Sequence, residues 1–277
     1  MIAQQHRLDA IANNLANADT VAYKRDVSVH KAFPELLLRR MSDDGVVQFP
    51  YRHDLLGSID KAPVVGRLGT GVEQNEVFTI FEQGAVQETN NPFDVALEGE
   101  GFFVVDTPYG ERLTRAGGFT LGPESLLVTQ QGYPVLGDDG QPIEMKLHNF
   151  VIDEDGRIFA NERFMDDPQR LVEMLENRWE DTIEVGRLRV VSADETRYLR
   201  KVGENLYNTT DESGEMFDLL DEERPKVLQG FVETANVNPV VEMTQMIEVN
   251  RAYEANQKVV QSQDQSTARL ITEIMRA

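Results

Sequence analysis

The feature that most constrains the fold is the uninterrupted segment at the C-terminus. Asn238 and Pro239 are typical of a helix start, because Asn caps helix N-termini and Pro is favoured at the first helical position. Neither proline nor glycine follows as far as Ala277. The sequence therefore predicts one helix, roughly 55 to 60 Å long at about 1.5 Å per residue. We expect such a helix to extend beyond any compact domain.

Residues spaced by seven in this segment form two interleaved series with the a/d spacing of a coiled coil. This seam is apolar at its ends and polar in its middle. A polar side chain at such a position costs stability but fixes register and partner number. The predicted seam consists of Met246, Val249, Tyr253, Asn256, Val260, Gln263, Thr267, Leu270 and Ile274. We interpret it as the surface of a helix that packs in an ordered assembly.

A second amphipathic helix is predicted at the N-terminus, where apolar residues recur at intervals of three and four. Its apolar face includes Leu8, Ile11 and Leu15, and its amides are Asn13, Asn14 and Asn17. The helix is expected to end near Asn17, because Asn and Asp tolerate turn conformations. The amides are interpreted as hydrogen-bonding groups at a tightly packed helix end in an assembly. The alternatives are helix capping plus solvent exposure for the amides, and terminal helices that fold back on the central β domain, described next, and pair there.

Short β-type runs fill the middle of the sequence and are divided by turn dipeptides. Tyr109-Gly110, Asp139-Gly140 and Asp155-Gly156 stand between or after these runs, which is typical of an antiparallel β domain. One piece differs: Asp167 and Pro168 resemble a helix start, and an apolar stripe ending at Trp179 follows them. This predicts an acidic helix inserted at residues 165–181.

The predicted fold class is α+β, with long N- and C-terminal helices that form a coiled-coil-like core element around a central, mostly antiparallel β domain. The predicted divisions are an N-terminal helix and extended segment, a connector of loops and short strands, the β domain with its insertion, and the long C-terminal helix. Their ranges are 1–40, 41–91, 92–230 and 231–277.

Composition excludes several functional classes. The 48 acidic and 27 basic side chains give a net charge of −21, which repels phosphate backbones and anionic lipids, so neither nucleic acid nor lipid is expected as a partner. The absence of cysteine excludes disulfides and cysteine zinc sites. No apolar run approaches the roughly 20 residues of a membrane span, and the first 26 residues lack the apolar region of a cleaved signal peptide.

Motifs of catalysis are also absent from the sequence. The four histidines are scattered, and neither a nucleophile elbow nor a phosphate-binding loop occurs. The stretch IDEDGRI has its glycine too early for a calcium loop and is predicted to be a hairpin turn. We therefore expect no enzyme activity, cofactor or metal.

Two terminal motifs carry a resemblance to a known family. HRLDAIANNLANADTVAYKRD (6–26) resembles the N-terminal signature of bacterial flagellar rod and hook proteins, and QGFVETANVNPVVEMTQMIEVNRAYEANQKVVQSQDQ (229–265) resembles their C-terminal signature. Between them, NPFDVALEGEGFFVV, LTRAGGFTL and LLVTQQGYPVLG are similar to the family's β domain in order and spacing. Within the family, the motifs resemble proximal-rod subunits most, with distal-rod subunits as the near alternative.

The resemblance implies an axial subunit of a helical tube, with the terminal helices in its inner core and the β domain outside. It implies copies of itself and other axial proteins as partners, and export by the flagellar type III apparatus without a cleaved signal peptide. The inserted helix at 165–181 is not part of the family pattern. The alternative function is a β-domain binding protein whose terminal helices form a small closed oligomer.

Overall fold

The computed structural model describes residues 2–39, 46–47, 59–60, 64–69, 71–145, 150–161, 182–219 and 224–275. Its two α-helices are α1 (Ile2–Ala16) and α2 (Pro239–Ile274). The strands in the first half of the chain are β1 (Asp26–Ala32), β2 (Leu36–Arg39), β3 (Val46–Val47), β4 (Ile59–Asp60), β5 (Val64–Leu68), β6 (Val72–Thr79), β7 (Val86–Glu88), β8 (Val95–Glu98), β9 (Phe102–Thr107), β10 (Gly110–Thr114), β11 (Phe119–Leu121) and β12 (Leu127–Thr129). Those in the second half are β13 (Phe150–Ile152), β14 (Arg157–Asn161), β15 (Thr182–Arg187), β16 (Val190–Ala193), β17 (Arg200–Gly203), β18 (Leu206–Asn208), β19 (Met216–Asp218), β20 (Lys226–Gln229) and β21 (Phe231–Glu233).

The predicted C-terminal helix is confirmed, and it begins at the predicted residue. The Asn238 side-chain oxygen accepts hydrogen bonds from the backbone N–H groups of Val240 (3.1 Å) and Val241 (3.4 Å). These bonds satisfy two of the N–H groups that a helix start leaves without partners inside the helix. With neither proline nor glycine to interrupt it, α2 then runs for 36 residues.

The prediction of a long N-terminal helix is wrong, although its predicted end is confirmed. α1 has 15 residues and stops at Ala16. The Asn17 N–H still bonds to the Asn13 carbonyl, at 3.1 Å, but the chain then turns, and Ala22 adopts a left-handed φ of 55°. The turn redirects the backbone into β1, so the helix cannot continue past the asparagines.

All strand pairs within the described residues are antiparallel, as predicted for most of them. The largest sheet has six strands in the order β17-β18-β10-β9-β16-β19. Two predicted hairpin turns connect β9 to β10 at Gly110 and β13 to β14 at Gly156. Both glycines have left-handed φ angles, of 99° and 77°, which glycine adopts at little cost. The hairpin predicted for IDEDGRI is therefore confirmed.

The core lies on both faces of the large sheet. In β9, Phe102 and Val104 belong to one buried cluster, and Phe103 and Val105 belong to another. Side chains alternate between the two faces of a strand, so a strand with four consecutive buried residues must be covered on both sides. Phe81 closes the first cluster, with its ring edge-on to that of Phe102 at 5.4 Å between centroids.

A short 3-10 helix, Thr196–Tyr198, precedes β17. Two sequence-based assignments need comment. The expected connector 41–91 contains β6, which pairs with β1, and β7, which pairs with β21. The predicted acidic helix at 165–181 lies outside the described residues.

Candidate assembly surface

Both terminal helices join the β domain at one place, which we call the terminal junction. It consists of residues 20–26, between α1 and β1, and residues 231–238, between β20 and α2. The two segments are bonded to each other, since the Ala22 N–H donates to the Glu233 carbonyl oxygen at 2.7 Å. The N- and C-terminal parts of the chain therefore enter and leave the β domain side by side.

Asn236 connects its own segment of the chain to two others, residues 23–25 and Ile80. Its side-chain oxygen accepts from the Arg25 backbone N–H at 2.7 Å, and its side-chain N–H donates to the Ile80 carbonyl at 2.8 Å. Its own backbone N–H donates to the Tyr23 carbonyl at 3.2 Å. Asn236 thus supplies the hydrogen bonds that hold the segment between β21 and α2, which lies outside any strand or helix.

A buried ion pair lies at the centre of the junction. The Lys24 ammonium is 2.5 Å from Glu233 Oε1, and neither side chain is exposed to solvent. Lys24 also donates to the Glu82 carbonyl at 2.7 Å, and the same Glu233 oxygen accepts from the Gly84 N–H at 2.8 Å. Burial lowers the pKa of Lys24, and the Glu233 carboxylate opposes that shift. The bonds on both partners are the compensation that a buried charge pair requires.

A second buried cation lies beside the pair. Arg115 Nε is 3.9 Å from Glu233 Oε2, and an Arg115 terminal nitrogen donates to the Gly99 carbonyl at 2.6 Å. Burial lowers the pKa of Arg115 as well. Because the strand after Arg115 is part of the β domain, this contact connects the junction to the domain core.

Lys201 connects the junction to the large sheet. Its ammonium lies 2.9 Å and 3.0 Å from the two carboxylate oxygens of Asp26, and 2.9 Å from the Lys24 carbonyl. It also lies 4.1 Å from the centre of the Tyr23 ring, within cation–π distance. β17, which carries Lys201, is the edge strand of the six-stranded sheet.

The asparagine cluster at the end of α1 bonds within the subunit. The buried Asn14 amide accepts from the Asp26 N–H at 2.8 Å and donates to the Asp26 carbonyl at 2.9 Å, as a neighbouring strand residue would. The Tyr23 hydroxyl donates to Asn13 Oδ1 at 2.8 Å, and the Asn17 amide donates to the Asn13 carbonyl at 2.9 Å. These bonds within the subunit fit the helix-capping part of the alternative, whereas the buried Asn14 does not fit its second part, solvent exposure.

The Tyr23 hydroxyl contacts the side-chain oxygens of both Asn13 and Asn14 in this cluster. Burial raises the pKa of its hydroxyl, and the carboxylates of Asp26 and Glu242 raise it further. The neutral hydroxyl is therefore the form that the folded chain favours.

α1 covers the first part of α2. Asn14 and Glu242 line one cleft together with Asp26, so the end of α1 lies beside the start of α2 and the two helices run antiparallel. Val249 is 2% exposed and Ile11 is also buried. Leu8 and Leu15 of the predicted α1 face and Met246 and Tyr253 of the seam are half-buried. Of the alternative that the terminal helices fold back on the β domain and pair there, the pairing is present between α1 and the first part of α2, whereas the rest of α2 is exposed.

Beyond Tyr253 the described part of the chain leaves the seam uncovered. Every side chain from Glu254 to Thr272 is exposed. The exposed seam residues are Asn256, Val260, Gln263, Thr267, Leu270 and Ile274, and the last of these is 74% exposed. The same helix face that packs under α1 near the junction thus continues into solvent for about 30 Å, at about 1.5 Å per residue. We call this uncovered part the distal stripe.

The junction residues Lys24, Glu233, Arg115 and Asn236 were not singled out in the sequence analysis. Lys24 and Glu233 are 209 positions apart, and no local pattern connects them. The one available signal was a charged residue, Glu233, at the end of the otherwise apolar strand β21. A charge at such a position is buried only with a partner.

The described ranges contain no group of three or more His, Cys, Asp or Glu side chains arranged to hold a metal ion. Neither described helix has the combination of length and apolar character that crossing a membrane requires.

Three family models match the chain. Residues 1–24 match the model described as flagella basal body rod protein, and residues 96–160 match the flagellar hook protein FlgE/F/G D1 domain. Residues 228–273 match the flagellar basal body rod FlgEFG protein C-terminal model. The two terminal matches contain residues 20–24 and 231–238 of the terminal junction and nearly all of the distal stripe.

Curated relatives match along nearly the whole chain. The flagellar basal-body rod protein FlgF of Caulobacter vibrioides is 33% identical over 258 residues, which is 92% of this chain and 86% of the relative. FlgG of Buchnera aphidicola subsp. Schizaphis graminum is 34% identical over 272 residues, or 97% and 94%. The flagellar hook-basal body complex protein FlhO of Bacillus subtilis is 31% identical over 294 residues, or 99% and 95%. The similar identities to FlgF and FlgG do not separate these two kinds of rod protein.

Proposed function

Because the chain belongs to the bacterial flagellar basal-body rod protein family, we propose that it is a structural subunit that polymerises through its terminal helices. The distal stripe is the observation that carries this proposal. It extends the face that α1 covers in the same molecule, yet the described part of the chain leaves it exposed. Exposed apolar side chains aligned on one helix face, here Val260, Leu270 and Ile274, are typical of a contact with another protein.

The proposed assembly is a helical axial tube. In it the terminal helices form the inner core, line the export channel and transmit torque, and the β domain lies outside. The polar residues in the middle of the distal stripe, Asn256 and Gln263, set the register of neighbouring helices, because a misaligned neighbour would leave their amides unpaired. In the proposed assembly the charge of each subunit is carried mainly by its β domain, away from the helical core.

The proposed partners are copies of this chain and other axial proteins of the rod, within the periplasm. The proposed route to them is the flagellar type III export apparatus. We propose no enzyme activity and no direct binding of lipid or nucleic acid. In this proposal the distal stripe makes the contacts with neighbouring subunits. The part of the seam that α1 covers positions α2 for those contacts.

Two matched aspartate variants test the proposal. Val260→Asp places a charge in the distal stripe, where packing against a neighbour would bury it without a partner. Ser262→Asp places the same charge two residues away, on the side of α2 that faces away from the stripe. Because both positions are exposed in the single subunit, neither change should alter the thermal unfolding of the β domain by more than about 0.5 kcal/mol.

The expected result is loss of assembly and of motility for Val260→Asp, and retention of both for Ser262→Asp. Electron microscopy of the purified protein at high concentration, alone and with other rod proteins, gives the shape of the assembly. Open tubes support the proposal, whereas small closed particles support the alternative of a β-domain protein with a closed helical oligomer. Normal incorporation of Val260→Asp would contradict the proposal.

A further inference from the structure

α2 has a second uncovered apolar surface, on the side opposite to the seam. Val240, Met243 and Ile247 are 70%, 50% and 52% exposed. At about 100° per residue these three positions lie on one side of the helix, and Val249 lies nearly opposite them. We call this surface the base stripe. α1 covers one side of the start of α2 and leaves the base stripe open on the other side.

We propose that the base stripe of one subunit receives the distal stripe of a second copy of this chain. The inference rests on the proposed function, and it specifies the partner surface. The two stripes lie on the same helix, but at different positions along its axis and on opposite sides of it. A contact between them therefore joins two different surfaces, and such a contact can repeat without closing.

Charge supports a contact between these two surfaces. With a net charge of −21, two copies repel each other over most of their surface. Neither stripe contains a charged residue, and the basic side chains Lys258 and Arg269 lie on the side of α2 away from the distal stripe. The acidic Asp264 lies one turn after Val260, about 40° around the helix, so it borders the distal stripe. Apposition of the two stripes thus buries their apolar side chains and leaves this charge at the edge of the contact, where it is not desolvated.

α1 does not offer a comparable surface. Its exposed side carries the polar residues Gln5, His6, Asp9 and Asn13, and a single large exposed apolar residue, Ile2, at its start. Its apolar side contains the buried Ile11. In the described parts of the two terminal helices outside the distal stripe and its borders, the base stripe is therefore the largest group of exposed apolar residues on one helix side.

Single-cysteine variants test this contact directly, because the natural chain has no cysteine. Val260→Cys marks the distal stripe, Met243→Cys marks the base stripe, and Ser262→Cys is the matched control on the polar side. Each variant alone, and each pair of variants mixed, is assembled at high concentration, examined by electron microscopy and treated with a short bismaleimide. Covalent products are then resolved on a denaturing gel.

The expected result is a covalent dimer from the mixture of Val260→Cys and Met243→Cys. The dimer should be lost when Ser262→Cys replaces Val260→Cys, and it should be absent from either variant alone. A chain that carries both Val260→Cys and Met243→Cys should give a ladder of multimers, because each subunit then links to two neighbours.

Two results would overturn the contact while leaving the proposed function intact. One is tubes in which the mixture gives no more dimer than the control. The other is tubes in which Val260→Cys alone cross-links as strongly as the mixture, which would indicate a symmetric pairing of distal stripes. Failure of the natural chain to form any assembly, alone or with other rod proteins, would instead contradict the proposed function and the contact with it.

Discussion

Lys24 and Glu233 form a buried ion pair that joins the segment after α1 to the strand before α2, with 2.5 Å between Nζ and Oε1. Each partner comes from a different end of the chain, so the pair exists only when both ends are docked on the β domain. The bonds of Lys24 to the Glu82 carbonyl and of Glu233 to the Gly84 N–H make the pair part of a wider network.

Removal of one partner should therefore destabilise the fold strongly. Lys24→Met leaves the buried Glu233 carboxylate without its closer cation, with Arg115 Nε still 3.9 Å away, and is expected to reduce the free energy of unfolding by about 3–5 kcal/mol. Adding Glu233→Gln removes the stranded charge, so the double variant should lose less than the sum of the two single variants. Urea unfolding of the four proteins measures this coupling.

The exposed pair of Lys226 and Glu154, at 2.8 Å, is the matched control. Lys226→Met should leave the urea midpoint almost unchanged, because solvent screens an exposed pair. Additive effects of Lys24→Met and Glu233→Gln would mean that the junction pair contributes no more than such a surface pair.

Two buried tyrosines should respond in opposite ways to loss of their hydroxyl groups. Tyr23→Phe removes the bond to Asn13 and is expected to cost about 1 kcal/mol. Tyr207→Phe should be neutral or stabilising, since within the described part of the chain the Tyr207 hydroxyl is buried without a hydrogen-bond partner. Thermal unfolding of both variants provides the comparison. Equal destabilisation would show that the Tyr207 hydroxyl is bonded in solution.

Alkaline pH should weaken the fold through the same tyrosines. Burial raises the pKa of Tyr207, and nearby carboxylates add to the shift. A raised folded pKa favours the neutral phenol, so its stabilising effect is complete below the unfolded pKa of about 10 and is lost as pH rises above that value. The lysines of the junction have lowered pKa values and act in the opposite direction.

The contribution of Tyr207 is isolated by comparing the natural chain with Tyr207→Phe. The free energy of unfolding of the natural chain, relative to the variant, should decrease between pH 9 and pH 11.5, because the lysine contributions cancel in the difference. A difference that stays constant across this range would show that the Tyr207 pKa is not raised by folding.

Gly84 should not tolerate a side chain. A Cβ at this position would lie 2.0 Å from the Thr234 carbonyl oxygen. That oxygen belongs to the backbone of the junction and cannot move aside easily. Gly84→Ala is expected to cost at least about 1–3 kcal/mol. Gly186→Ala is the control, since nothing lies within 4 Å of its added methyl group, and it should change stability by less than about 0.5 kcal/mol. Similar melting temperatures for both variants would contradict the tight packing at Gly84.

Hydrogen exchange should divide α2 into two parts. In the dilute subunit the Val249 amide is expected to exchange slowly because α1 packs over it, whereas the Val260 and Leu270 amides should exchange fast, since a helix without tertiary contacts is marginally stable. Assembly should slow exchange at Val260 and Leu270. Equally slow exchange at all three positions in dilute solution would show that the distal part of α2 needs no partner.

The elements that could be predicted from sequence are those with local signals. Asn238 and Pro239 specify the start of α2, and the absence of later proline and glycine specifies its length. Gly110 and Gly156 mark hairpins because each occupies a left-handed position that few other residues adopt. The end of α1 at the asparagines follows in the same way from residues that favour turns.

The parts that could not be predicted depend on contacts between distant residues. Heptad spacing identifies a face of α2 but not what covers it, and here α1 covers that face only as far as Tyr253. From the sequence, the Asn14 amide is interpreted as an assembly group. Its actual partner, the backbone of Asp26, could not be identified from sequence, because the position of β1 depends on the whole fold. The pairing of Lys24 with Glu233 has no local signal at all.

The terminal junction also determines how the subunit carries a mechanical load. α2 follows β21 after the short link 234–238, and this link is bonded along its length, by the Thr234 N–H to the Ala85 carbonyl at 2.8 Å and by Asn236 to two neighbouring segments. A pull on α2 therefore acts on several hydrogen bonds and a buried ion pair at once. We therefore expect the link to act as a stiff joint, so that in the proposed assembly a twist applied to the helix would turn the β domain with it.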